Sequence, residues 1–195
     1  MRLFISLALA ICTVHSAGAQ ERDIGSIGLS GYAGGIRSAY DVGADGGTDG
    51  PIVGLKVSYP TNNRSSVYVN VAYANTHDVG SHVGSNYFLY NDTFRMATVG
   101  GEYAVAAGTS SLWLSLEAGA RWRRTLADGS VGSPPESDRG RGGSAFSIGE
   151  LLVPGIAFRR QILPRGAIGI GVYDYIMSLE SPKNSPAVTL SFTFR

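Results

Sequence analysis

What the chain lacks narrows it first. It has one cysteine, Cys12, inside an N-terminal segment with the marks of an export leader. Past that segment there is no thiol, so no disulfide staples the fold although an exported context would allow one. Charged residues make up 16% of the chain, against roughly 25% in soluble domains. No apolar run approaches the ~20 residues that a membrane-spanning helix needs. The leader's own core, "LFISLALAICTV" (3–14), holds 12. Arg2 precedes it, and "AGAQ" (17–20) supplies a small-x-small cleavage site after Ala19. Ile11 before Cys12 is bulkier than a lipid-anchoring site accepts, so Cys12 reads as part of the apolar core. The expected organisation is a leader over 1–19 and a single domain over 20–195. Without Arg2 the basic residues number 15, one fewer than the 16 of the full chain, and balance 15 acidic ones. A net charge of zero argues against a polyanion held by bulk charge, so no nucleic-acid partner is expected.

What is present is a period of two. Eight alternating segments stand at roughly 23–34, 51–60, 66–75, 92–104, 111–123, 146–158, 166–176 and 186–194. Each is near the ~9–11 residues that a tilted strand needs to cross a bilayer. Strands that cross lipid must close into a barrel, because no water is there to satisfy an open edge. The connections alternate in length. "TNNRS" (61–65), "VAAGTS" (105–110) and "RRQILPR" (159–165) are short. "GIRSAYDVGADGGTDG" (35–50), the polar stretch 76–91, "RTLADGSVGSPPESDRGRGGSA" (124–145) and "MSLESPKNS" (177–185) are longer, the last only slightly. Short turns at one end and long loops at the other are the asymmetry of outer-membrane barrels, and an even strand count puts both termini on the short-turn side.

The two faces differ. One carries Val53, Leu55, Val57 and Tyr59, then Val67, Val69, Val71 and Tyr73, then Leu112, Leu114, Leu116 and Trp122, then Val188, Leu190, Phe192 and Phe194. The other is mostly Gly, Ala, Ser and Thr with Lys56, Glu102, Glu117 and Arg121. A soluble, lipocalin-like binding barrel also alternates, but it puts the large apolar residues inside and a polar face in water. Aromatics discriminate. Tyr59, Tyr103, Phe158 and Phe194 close the four segments that run toward the short turns, and Tyr73 and Trp122 stand near the opposite rim. Lipid-facing barrels carry such girdles at both interfaces. Trp113 on the small-residue face, Glu150 on the apolar face and Tyr32 out of phase with Ile27 and Leu29 fit this pattern poorly; a bulge would repair each, Pro154 being a natural site for one.

This alternation, the leader with "AGAQ" and the end "VTLSFTF" (188–194) resemble the small eight-stranded outer-membrane β-barrel family, the OmpA transmembrane domain and OmpX-like group. The resemblance covers all of 20–195. It implies an all-β, eight-stranded antiparallel up-and-down transmembrane barrel in the bacterial outer membrane, reached by export through the periplasm. It also implies that the outer-membrane assembly machinery reads the last strand through the terminal aromatic, Phe194. Here an extra Arg195 follows, a departure from the family's ending.

Little in the chain carries chemistry. "NTHDVGSHVGS" (75–85) brings His77, Asp78, Ser81 and His82 into one stretch. A catalytic set needs side chains locked by a scaffold, and a loop does not lock them. No third ligand accompanies the two histidines, so no metal and no cofactor is expected. Asp41, Asp45 and Asp49 are spaced by four, which is not the alternate-residue pattern of a calcium loop. "DRGRGG" (138–143) resembles an Arg/Gly nucleic-acid segment but sits in a chain of balanced charge. Two charge sets say more. Lys56, Glu102, Glu117 and Arg121 face inward and persist there as pairs, giving a plugged lumen, or else face interior water. Arg95 and Arg124, with Trp122 between them, face outward near the long-loop rim. They suit lipopolysaccharide phosphate, or simply snorkel to water. The reading is a non-enzymatic, monomeric barrel with a structural or surface-interaction role through its long loops, in contact with outer-membrane lipid. A narrow passive channel and a lipid-modifying enzyme using the His77–His82 stretch are the alternatives.

Overall fold

The computed structural model describes residues 26–38, 48–83, 86–128, 143–177 and 184–195. The expected leader, 1–19, lies outside them. Eight strands follow one another: β1 (Gly28–Ser38), β2 (Thr48–Pro60), β3 (Ser65–Val83), β4 (Asn86–Ala106), β5 (Ser110–Asp128), β6 (Gly143–Leu163), β7 (Gly166–Ile176) and β8 (Asn184–Phe194). Each pairs antiparallel with the next, and β8 returns to β1 from Phe194 opposite Leu29 to Ala187 opposite Ile36. The barrel is closed, so the apolar belt has no open strand edge in its wall. The tight turns lie at one end. Asn62 organises the first by accepting from the backbone N–H groups of Arg64 and Ser65 at 2.8 Å each.

The strand lengths depart from the expected even set. β1, β2, β7 and β8 hold 11, 13, 11 and 11 residues, whereas β3, β4, β5 and β6 hold 19, 21, 19 and 21. The polar stretch 76–91, expected to be a loop, is instead a continuing ladder from Thr76 opposite Asp92 to Val83 opposite Asn86. β5 and β6 likewise stay paired out to Ala127 opposite Gly143. Above the lipid a ladder needs only backbone partners. An apolar/polar alternation is no longer required, so the pattern that located the strands stops before the strands do. The first strand was also expected to start near residue 23; it begins at Gly28 and runs on to Ser38.

The three expected misfits need no bulge. Tyr32 keeps phase with its strand, points inward, and donates its hydroxyl to Asn70 Oδ1 at 3.1 Å. Trp113 is 1% exposed inside the barrel, where its indole N–H donates to Ser111 Oγ at 2.7 Å. The β5–β6 register runs unbroken past Pro154, leaving Glu150 exposed on the outer face. The irregularities fall elsewhere, between Thr76 and Val79, Ala104 and Ala106, and Gln161 and Leu163, near the rims.

Candidate functional site

The outer wall decides what surrounds the barrel. Val99 is 62% exposed, Leu116 55% and Leu190 68%, and their neighbours on every strand are similar. The charges are inside: Lys56, Glu102 and Glu117 are buried. This is the inverse of a soluble barrel, in which the large apolar residues would fill the interior. An apolar belt of this extent is not left to water. Tyr59, Tyr103, Phe158 and Phe194 all lie on the outer face toward the short turns, with Phe158 half-buried. Tyr73 and Trp122 lie on it toward the other rim.

The lumen is filled in tiers. Nearest the short turns, Ser30 and Thr193 hydroxyls meet at 2.8 Å. Glu102 accepts two hydrogen bonds from Arg159, at 2.9 and 2.6 Å. The guanidinium of Arg159 also lies 4.9 Å from the centre of the Trp113 ring. Next comes Glu117, whose carboxylate faces Lys56 Nζ at 3.5 Å and accepts from Asn70 Nδ2 at 2.8 Å and Thr98 Oγ1 at 2.5 Å. The Lys56 ammonium stands 3.8 Å from the Tyr68 ring centre. Above it an apolar plug closes the section: Ile52, Ala74, Phe94, Val153 and Met177 are all 0% exposed. A last polar tier caps the plug, with Arg123 donating to Asp92 at 2.6 Å and Thr125 to the other carboxylate oxygen at 2.5 Å.

Of the four inward charges marked in the sequence, the structure brings Lys56 and Glu117 together. Glu102 pairs instead with Arg159, and Arg121 lies inside against Gly149. Arg159 was missed because it was assigned to a turn; it belongs to β6, opposite Ser111. The apolar plug was also missed. Its members sit where the chain was read as small and polar, or beyond the expected strand ends. On the outer wall Arg95 and Trp122 are direct cross-strand partners, and Arg124 lies two residues beyond Trp122 on the same face. Glu150 shares that face, opposite Ala120. His77, Asp78, Ser81 and His82 fall on β3, but their side chains lie outside the described residues. So do Asp41, Asp45 and the 138–142 part of "DRGRGG"; Asp49 approaches Arg37 at 3.9 Å. Among the described residues no cluster of His, Cys, Asp and Glu could hold a metal ion.

No family model matches this sequence, and no curated protein does. Solved structures do. OprG, an outer membrane protein of Pseudomonas aeruginosa, superposes with a TM-score of 0.56 at 11% identity, over 91% of this chain and 98% of its own. Neisserial surface protein A superposes at 0.54 and 11% identity, over 86% and 96%. Ail, the attachment invasion locus protein of Yersinia pestis, solved with the heparin analogue sucrose octasulfate, superposes at 0.52 and 16% identity, over 87% and 97%. The chain has the fold of the small eight-stranded outer-membrane β-barrels. At these identities the likeness carries architecture, and function rests on this chain's own residues.

Proposed function

We propose that this barrel is a non-enzymatic bacterial outer-membrane protein, short turns toward the periplasm, that acts at the cell surface through the sheet projecting from β3 to β6. One observation carries the reading. These four strands outrun β1, β2, β7 and β8 by 6 to 10 residues. Among the described residues the β2–β3 ladder ends at Ile52 opposite Ala74, with Gly50 still against the backbone of Asn75 and Thr76, and the β6–β7 ladder begins at Leu152 opposite Ile176. Beyond those ends each outlying segment has, among the described residues, a row of backbone N–H and C=O groups with no strand partner on one side. Such a row is a template for strand addition by an extended peptide. The names of Ail and Neisserial surface protein A, which speak of attachment and of the surface for those proteins, accord with a role of this kind. The lumen supports it too, since a section closed by Ile52, Phe94 and Met177 favours a plug over a channel.

The test is to replace residues 77–90 by a two-residue turn. The shortened protein should keep the gel shift between unheated and boiled samples that marks a folded barrel, while bacteria displaying it lose adhesion to host-protein-coated surfaces. Adhesion unchanged by the truncation would sink the surface role. Lipid A mass analysis with and without the protein addresses the enzymatic alternative. Contact of Arg95, Trp122 and Arg124 with lipopolysaccharide phosphate belongs to the same reading, as do a monomeric state and recognition of Phe194 by the assembly machinery.

A further inference from the structure

The end of the barrel that carries the tight turns is cationic. Arg160 stands on the outward row of β6 two residues beyond Phe158, opposite Ile168 of β7, with exposed Ile162 and Leu163 closing the strand after it. Arg165 occupies the β6–β7 turn, and its carbonyl accepts from the backbone N–H of Arg195 at 2.9 Å. Gly166 faces Phe194, so Arg165 and Arg195 follow paired neighbours and lie side by side. Arg160 and Arg165 are exposed and Arg195 half-exposed. Among the described residues the one side-chain carboxylate at this end is Glu102, and both its oxygens are taken by Arg159 inside the lumen. Burial first, and then the nearby Arg159 guanidinium, lower the pKa of Arg195 against the pull of Glu102.

We propose that Arg160, Arg165 and Arg195 form a headgroup site for an anionic phospholipid of the periplasmic leaflet. Their height fits. Phe158 and Phe194 mark the interface, and the three guanidinium-bearing residues come one or two positions beyond an aromatic or stand in the adjoining turn, at headgroup depth. Guanidinium groups bind phosphate bidentately, and three of them repel the ammonium of a zwitterionic lipid. Arg160 favours a lipid over a free anion, because it stands on the wall that faces the leaflet, beside Phe158 and Ile168. The proposal rests on the membrane-spanning reading of the belt and not on the surface role of the projecting sheet.

The experiment is native mass spectrometry of the folded full-length barrel in a non-ionic detergent, titrated separately with phosphatidylglycerol and phosphatidylcholine. The native protein should hold phosphatidylglycerol on the order of tenfold more tightly. R160Q/R165Q/R195Q should bring the two lipids within about twofold of each other. R160Q/R165Q, which leaves the chain end untouched, should lose most of the preference, and R95Q/R124Q at the other rim should keep it. Equal binding of both lipids by the native protein overturns the proposal, as does a preference that survives R160Q/R165Q or vanishes in R95Q/R124Q. Displacement of the lipid by inorganic phosphate at matched concentration would assign the site to a free anion and overturn it as well. Failure of the native protein to show a heat-modifiable gel band would instead refute the membrane barrel itself.

Discussion

Removing the Glu117 carboxylate is the most direct test of how the lumen is held. Glu117 is 2% exposed and Lys56 5%. Their ion pair, at 3.5 Å, is the one formed by Lys56 among the described residues. Glu117→Ala leaves the ammonium in a closed lumen and strands the Asn70 and Thr98 donors, which now reach the carboxylate at 2.8 and 2.5 Å. Breaking one side of a buried pair costs about 3–5 kcal/mol. The Tyr68 ring, 3.8 Å from Lys56 Nζ, still faces the ammonium after the change, so the charge is not left wholly uncompensated. The loss should therefore stay near the lower end of the range, about 3 kcal/mol. Glu117→Gln keeps an acceptor for the two donors and should lose less. Lys56→Met/Glu117→Gln leaves no charge at this tier and should regain most of the stability. Urea unfolding in phospholipid vesicles, followed by tryptophan fluorescence and gel mobility, measures all three. The reasoning fails if Glu117→Ala unfolds within about 0.5 kcal/mol of the native protein, or if the double variant is no more stable than Glu117→Ala.

Leu190→Arg places a charge midway along the outward row of β8 and should cost about 2–4 kcal/mol. Ser191→Arg points inward toward Tyr32 and Gly169. Normal folding of Leu190→Arg with failure of Ser191→Arg, read as vesicle stability, would invert the two faces. Gly119→Ala should abolish folding, because a Cβ there would stand 2.0 Å from the Ala97 carbonyl oxygen of β4. A normal yield of heat-modifiable band would show that the two strands can separate at that point. In planar bilayers the native protein should give no conductance steps, since the plug around Phe94 and Val153 is fully buried. Regular steps would mean that the section opens.

The belt was legible because lipid imposes a rule on every second residue. Val53, Leu55, Val57 and Tyr59 must all be apolar where hydrocarbon covers them, and that period locates strand, face and depth together. The rule lapses in two places. Above the lipid, β3 and β4 continue on backbone pairing alone, so "THDVGSHV" (76–83) gives no alternation to read. Inside the lumen, a position tolerates whatever fits its neighbours across the barrel. Phe94 and Met96 lie inside β4, and Ile36 and Met177 beyond the expected ends of β1 and β7. Their common tier appears only once eight registers are fixed. The Glu102–Arg159 pair is a case of the same kind: the residues are 57 apart in sequence, and nothing local joins them. Arg159 opens the stretch that reads as the third short turn, "RRQILPR", whereas β6 runs through it to Leu163.

The net charge of the chain, +1, conceals a segregation along the barrel axis. In the lumen Lys56 meets Glu117, Arg159 meets Glu102 and Arg123 meets Asp92, three pairs at or below 3.5 Å, beside a fourth inward cation, Arg121. Those pairs cancel among themselves and leave the rims to set the outer field. At the short-turn end Arg64, Arg160, Arg165 and Arg195 remain, while the other half of the barrel carries both signs, Asp49, Glu150 and Asp174 beside Arg37, Arg95 and Arg124. Bulk charge therefore says nothing of a partner held by a rim. The two populations should respond differently to salt. Screening acts over about 10 Å at 0.1 M ionic strength and reaches exposed charges far more than buried ones. Raising salt from about 0.02 to 0.5 M should erase the preference for phosphatidylglycerol and leave the urea midpoint in zwitterionic vesicles nearly unchanged. A midpoint that fell in step with the lipid preference would mean that water and ions reach the Lys56–Glu117 tier, and that the lumen is open after all.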